Sequence, residues 1–129
     1  MTNDERWLTT NNIPFIRKSF IPDKPVIVCL CGSTRFKEQY ERVMRDQTLA
    51  GRIVLSVGLF THANNLNITN DVKAFLDNLH LRKIDLADEI FVIDPDGYIG
   101  DSTRKEIEYA KGLGKPVNYY SSFYEDDET

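Results

Sequence analysis

The stretch VIVCLCGSTRF, Val26 to Phe36, decides the fold. Apolar residues fill Val26 to Leu30 and Cys31 is core-compatible, the pattern of a strand buried on both faces. The run then leaves the core through Gly32, Ser33, Thr34 and Arg35. Gly32 lets backbone approach a ligand closely, and the amides of Ser33, Thr34 and Arg35 are expected to open a helix. Such a helix end gathers unpaired N–H groups and a partial positive charge, which suits an anion. Arg35 adds a charged fork and the hydroxyls add donors. The same residues also read as an ordinary helix start, with Ser33 or Thr34 as N-cap and Arg35 as a solvated charge. GSTR alone leaves both readings open.

Outward from this stretch, strands and helices alternate. Val26–Cys31 is a strand, and the spacing predicts a helix over Thr34–Ala50 stopped by Gly51. Arg52–Val57 is a second strand, and the asparagine-rich THANNLNITN, Thr61–Asn70, a loop. Asp71–Ala87 is helical, with Val72, Phe75, Leu76, Leu79, Leu86 and Ala87 on its expected buried face. Leu81, on the other side, hints at an interface. Glu89–Ile93 is a third strand, DPDGYIGD a loop, Thr103–Leu113 a helix ended by Gly114, and Pro116–Tyr120 a last strand. Alternation of this kind means a parallel sheet, which binds ligands at the carboxyl ends of its strands. Three loops therefore compete for function: 32–35, 58–70 and 94–103. Residues 1–24, with Pro14 and Pro22, read as an N-terminal extension whose IPFIRKSF supplies an edge strand or packs on a neighbour. The acidic 123–129 reads as a frayed tail.

The bulk properties narrow the function. At 129 residues the chain has the length of one domain, and 41% hydrophobic with 28% charged residues is an ordinary soluble balance. A net charge of -4 gives no electrostatic case for nucleic-acid binding. No apolar run approaches the ~20 residues of a membrane span, and no signal-peptide pattern follows Met1. A cytoplasmic location is the expectation. Cys29 and Cys31 read as small core residues in a reducing compartment, poorly oriented for a disulfide. His62 and His80 have no recognisable metal-ligand spacing relative to them, so no metal is expected.

The helix after the third strand carries the more informative residue. At about 100° per residue, Glu106 falls among Ile107, Ala110 and Leu113, while Arg104, Glu108 and Lys111 gather opposite. A carboxylate in the middle of an apolar face is costly unless something holds it. One explanation is a capping box, with Thr103 as N-cap and Glu106 reaching back to its amide. The other is a catalytic carboxylate in the first turn, aimed at the strand ends and kept reactive by partial desolvation.

CGSTR after the first strand, then LADEIFVI, then EIEYAKGLGKPV resemble the nucleoside 2-deoxyribosyltransferase superfamily, and most closely its 2′-deoxynucleoside 5′-phosphate N-hydrolase branch. The similarity runs from about Val26 to Tyr120, with the elements in the same order. It implies a flavodoxin-like, Rossmann-like α/β three-layer sandwich with a parallel sheet of four to five strands. It also implies a homodimer or higher homo-oligomer with sites near the interface. Glu106 matches the family nucleophile that attacks C1′ of the sugar. Gly32, Ser33, Thr34 and Arg35 match the loop that holds a 5′-phosphate. Ser102 or Asp101 falls near a polar residue that contacts sugar or phosphate in the family, and Gly100 beside them is a further candidate for substrate binding. Two positions depart from the pattern: Cys29 stands where many members carry tyrosine, and His80 where many carry an aspartate that assists at the base. Tyr119, Tyr120, Ser121 and Ser122 are all that remains of the C-terminal segment with which family partners reach into the adjacent site.

The resemblance implies N-glycosidic bond cleavage of a nucleoside or nucleotide with a glycosyl-enzyme intermediate, and no metal or organic cofactor. Asp101 or His80 is the expected proton donor to the departing base, and His62 with Asn64 or Asn65 the expected lining of the base pocket. An arginine in the first loop suits a phosphorylated substrate and a hydrolase. A base-exchanging transferase and a non-catalytic nucleotide-binding sensor are the alternatives.

Overall fold

The computed structural model describes residues 24–125. The expected edge strand in IPFIRKSF lies outside them, as does the end of the acidic tail. Four strands form one all-parallel sheet: β1 (Ile27–Gly32), β2 (Ile53–Leu55), β3 (Glu89–Ile93) and β4 (Val117–Tyr119). The helices between them are α1 (Lys37–Leu49), α2 (Asn70–Leu86) and α3 (Asp101–Gly112), and a short α4 (Tyr120–Phe123) follows β4. The strand order is β2-β1-β3-β4. This is a flavodoxin-like three-layer α/β sandwich, with order reversing beside β1.

Two-residue periodicity in β1 and β3 divides the core into two halves. Cys29, Cys31, Ile90 and Val92 face Ile84 and Ala87 at the end of α2 and Ile107 and Ala110 of α3. Val28, Leu30, Phe91 and Ile93 face Tyr40 and Val43 of α1 and Tyr120 of α4. Both central strands are buried on both faces, which is why they read as continuous apolar runs.

Polar anchors close the layers. The Lys115 ammonium donates to the carbonyls of Ile84, Asp85 and Ala87 at 2.8, 2.8 and 2.7 Å, so a cation satisfies the acceptors at the α2 C-terminus. Buried Asp94, just past β3, accepts from the Ser121 amide and hydroxyl, both at 2.8 Å. Tyr124 stacks on Tyr120 at 4.6 Å and donates to Asp46 at 2.7 Å. Phe123 and Tyr124 therefore belong to the fold, and not to a frayed tail.

The face of α2 differs from the sequence expectation. His80, Ile84 and, beyond the helix, Ala87 are its buried contacts, and Leu81 packs against the same cluster. Phe75 is 65% and Leu86 69% exposed, and Val72 and Leu79 are also exposed. The apolar stripe is wider than the sheet below it covers. Periodicity identified the helix but not which side of the stripe docks.

Gly32 fixes how closely β1 and β3 meet. It pairs with Ile93, and a Cβ at Gly32 would lie 2.7 Å from the Ile93 carbonyl oxygen and 2.9 Å from its Cβ. Its φ of +155° is also one that side chains rarely adopt. Gly32→Ala is expected to cost about 1–3 kcal/mol in urea unfolding. A loss within error of zero would show that the strands can part here freely.

Candidate active site

The carboxyl ends of β1 and β3 lie side by side, so the loops that follow them share one cavity of about 450 Å³. Its size is that of a small-molecule site. The lining includes Gly32, Ser33, Thr34 and Arg35 from the first loop and Thr61 and His62 from the second. His80 and Lys73 come from α2, and Tyr98, Gly100, Asp101, Ser102, Thr103 and Glu106 from the third loop and α3. Leu59, Leu66, Ile68, Leu76 and Leu79 supply apolar wall. Gly32 to Arg35, His62, His80, Gly100 to Ser102 and Glu106 therefore reach the same cavity, although they span three loops and two helices. Asn64 and Asn65, expected to line the base pocket, do not.

The first loop is not a helix cap. Helix α1 begins at Lys37 after Phe36, with no side-chain cap, so neither Ser33 nor Thr34 plays that part. A turn closed by the Phe36 amide on the Ser33 carbonyl, at 3.1 Å, holds the loop instead. Tyr40 of α1 donates to the Gly32 carbonyl at 2.8 Å. The Thr34 hydroxyl meets His62 Nδ1 at 2.5 Å and the Thr61 hydroxyl at 3.1 Å, tying the first and second loops together. Arg35 Nε donates to the Ser33 hydroxyl at 2.9 Å, and its guanidinium lies 4.8 Å over the Tyr98 ring. That contact presets the fork at the cavity wall.

Helix α3 starts two residues earlier than the sequence suggested. Gly100 is its N-cap, without a side-chain bond, so Thr103 is not a cap and the capping-box explanation of Glu106 falls. Thr103 and Glu106 are both buried, in the first and second turns. Glu106 is only 9% exposed, and burial raises its carboxyl from 4.5 to about 7; His80 opposes the rise and Cys29 adds to it. Asp101 differs. Its side chain is 95% exposed and pairs with Arg104 at 3.0 Å, so its carboxylate belongs to solvent. Ser102 accepts a bond from Lys73 at 3.1 Å, while Lys73 also pairs with Asp77 at 2.7 Å.

His80 is not a residue at the margin of an apolar face. Its Nε2 lies 3.6 Å from Cys29 Sγ and 3.5 Å from Cys31 Sγ. Burial is the largest influence and works to lower its pKa, but the bond to Cys29 together with the charges of Cys29 and Glu106 makes the net shift upward. Cys29 is pulled down to about 5, first by a hydrogen bond from Cys31 and then, against burial, by His80. Cys31 keeps its proton well above the usual thiol range because it donates to Cys29 and is buried.

Sequence reasoning missed Tyr98 and Lys73. DPDGYIGD reads as turn chemistry, and only the stacked guanidinium singles out its tyrosine. Lys73 resembles any solvated helical lysine until α2 lies against the start of α3.

The raised Glu106 pKa has a consequence for stability. The folded protein holds a proton that the unfolded chain releases between pH 4.5 and about 7, so stability falls as pH rises through that window. Glu106→Gln is expected to flatten the fall and raise the melting temperature at mildly alkaline pH. A lowered melting temperature there would contradict the burial cost assigned to this carboxyl.

No family model and no curated protein matches the chain, so the reading of this cavity rests on its own residues.

Proposed function

We infer that the protein cleaves the N-glycosidic bond of a nucleoside 5′-monophosphate. The observation that carries this reading is a buried carboxyl, Glu106, in the same cavity as the Gly32–Arg35 loop and its preset guanidinium. Helix α1 begins too late for the Ser33 to Arg35 amides to open it, so the Arg35 guanidinium is the anion-binding group. A cavity with that cation at one strand end and an acid at the next suits a ligand with phosphate at one end and a reactive carbon further along.

The chemistry follows from those positions. The Glu106 carboxylate attacks C1′, the bond from C1′ to the base nitrogen breaks, and the electron pair leaves with the base. His80 supplies the proton that the departing base takes up; both it and Asp101 line the cavity, but His80 is buried while the Asp101 carboxylate faces solvent. Water then adds to C1′, releases Glu106 and yields a 5-phospho sugar with retained configuration. Binding energy at the phosphate orients C1′ over the carboxylate. Thr34 joins His62 so that the second loop closes against the first. No step needs a metal or an organic cofactor.

Self-association belongs to the same reading. Phe75 and Leu86 expose apolar surface on α2, and Leu59, Leu66, Ile68 and Leu79 are exposed while also lining the cavity. A second copy seated here would cover both the apolar stripe and the cavity rim, which fits the family's habit of pairing near its sites. Free buried thiols suit a reducing, cytoplasmic setting. Among the described residues no helix is long and apolar enough to cross a membrane.

Incubation with a panel of nucleoside monophosphates should release free base, and Glu106→Gln should reduce that release by at least about 10³-fold while nucleotide still binds. Binding without turnover by the unaltered protein would instead favour a nucleotide sensor. Arg35→Ala should weaken a monophosphate by roughly tenfold or more, the scale of a lost charged hydrogen bond, and leave its nucleoside little changed. Equal losses for both would remove the phosphate assignment. Phe75→Glu should halve the mass seen in analytical ultracentrifugation; a monomer before the change would dismiss the pairing.

A further inference from the structure

Three soft or borderline ligands meet beside the cavity: two thiols that the proposed cleavage does not use, and His80, whose Nε2 can serve the departing base only while no ion holds it. Cys29 and Cys31 lie two apart on β1, so both thiols emerge on the sheet face covered by α2. His80 comes down onto them from α2, and all three residues are buried. Their ligand atoms lie within 4.8 Å of one another. Among the described residues this is the one group of three or more His, Cys, Asp and Glu side chains so arranged.

The distances carry more than proximity. A tetrahedral zinc ion with bonds of about 2.3 Å to sulfur and 2.0 Å to nitrogen needs a sulfur-to-nitrogen edge of roughly 3.5 Å. The two edges present here are 3.6 and 3.5 Å. One ring nitrogen also stands almost equally far from two sulfurs. Nε2 has a single lone pair or a single proton, so it can serve only one sulfur well by hydrogen bonding. A cation among the three satisfies all of them at once. Two thiolates and a neutral imidazole around a divalent ion also sum to zero charge, which a buried setting favours.

We propose that Cys29 Sγ, Cys31 Sγ and His80 Nε2 form a binding site for one thiophilic divalent metal ion of the zinc class. Three protein ligands leave a fourth position for water, the pattern of zinc sites that stay open. His80 also lines the cavity, which gives the ion a path inward. Binding joins the central strand to α2, so the ion stabilises the folded chain by mass action.

Cobalt titration of the reduced, chelator-treated full chain tests the site directly. The expected result is a thiolate-to-cobalt charge-transfer band with strong tetrahedral visible bands, saturating at one ion per chain and displaced by zinc. The chain has only 2 cysteines, so the charge-transfer band reports Cys29 and Cys31 without any substitution. His80→Gln should weaken cobalt binding by more than about tenfold, whereas His62→Gln should leave it unchanged. Zinc should raise the melting temperature of the unaltered chain and not that of His80→Gln. Absence of the charge-transfer band, or a band indifferent to His80→Gln, overturns the three-ligand site.

Discussion

The pairing of β1 with β3 governs the rest of the molecule. Their parallel register runs from Val28 beside Glu89 to Gly32 beside Ile93, and it ends with two loops emerging together. Gly32 is where that register is tightest, since any Cβ would strike Ile93. The loop that follows Gly32 holds Arg35, and the segment that follows Ile93 leads through Tyr98 and Gly100 into the helix bearing Glu106. A side chain at position 32 would push the two loops apart and separate the cation from the acid. Packing at one glycine therefore sets the dimensions of the cavity.

The same sheet accounts for the electrostatics. Helix α3 docks Glu106 in a buried position at the carboxyl end of the sheet, so its carboxyl is desolvated and rises to about 7. Such a group is costly to stability and useful to chemistry, a balance expected where function outweighs packing. Arg35 is handled in the opposite way. Its guanidinium stays at the wall, exposed and held by the Ser33 hydroxyl and the Tyr98 ring. Acid and cation thus share a cavity under different degrees of solvation.

Much of this was legible in the sequence because it depends on local pattern. The apolar runs Val26–Cys31 and Glu89–Ile93 announced central strands, and their alternation with helices announced a parallel sheet. Glu106 stood out because a carboxylate interrupted an apolar helical face. Helix starts were less legible: α1 begins at Lys37 and α3 at Asp101, because turns and a glycine cap, not Ser33 or Thr103, set them. The docking side of α2 was read wrongly, since Phe75 and Leu86 are as apolar as Ile84 and only the sheet decides among them. His80 is the sharpest case. No spacing rule links it to Cys29 and Cys31, some fifty positions away, and only the crossing of α2 over β1 brings them together.

The central position given to Glu106 is tested most directly by trapping the sugar on it. A nucleoside monophosphate carrying fluorine at C2′ slows breakdown of a glycosyl-enzyme ester, so acid quenching and peptide mass mapping can capture the adduct. A phosphosugar mass on the peptide containing Glu106, with base released in equal amount, is the expected result. Base release with no adduct, or an adduct on any other residue, would contradict it.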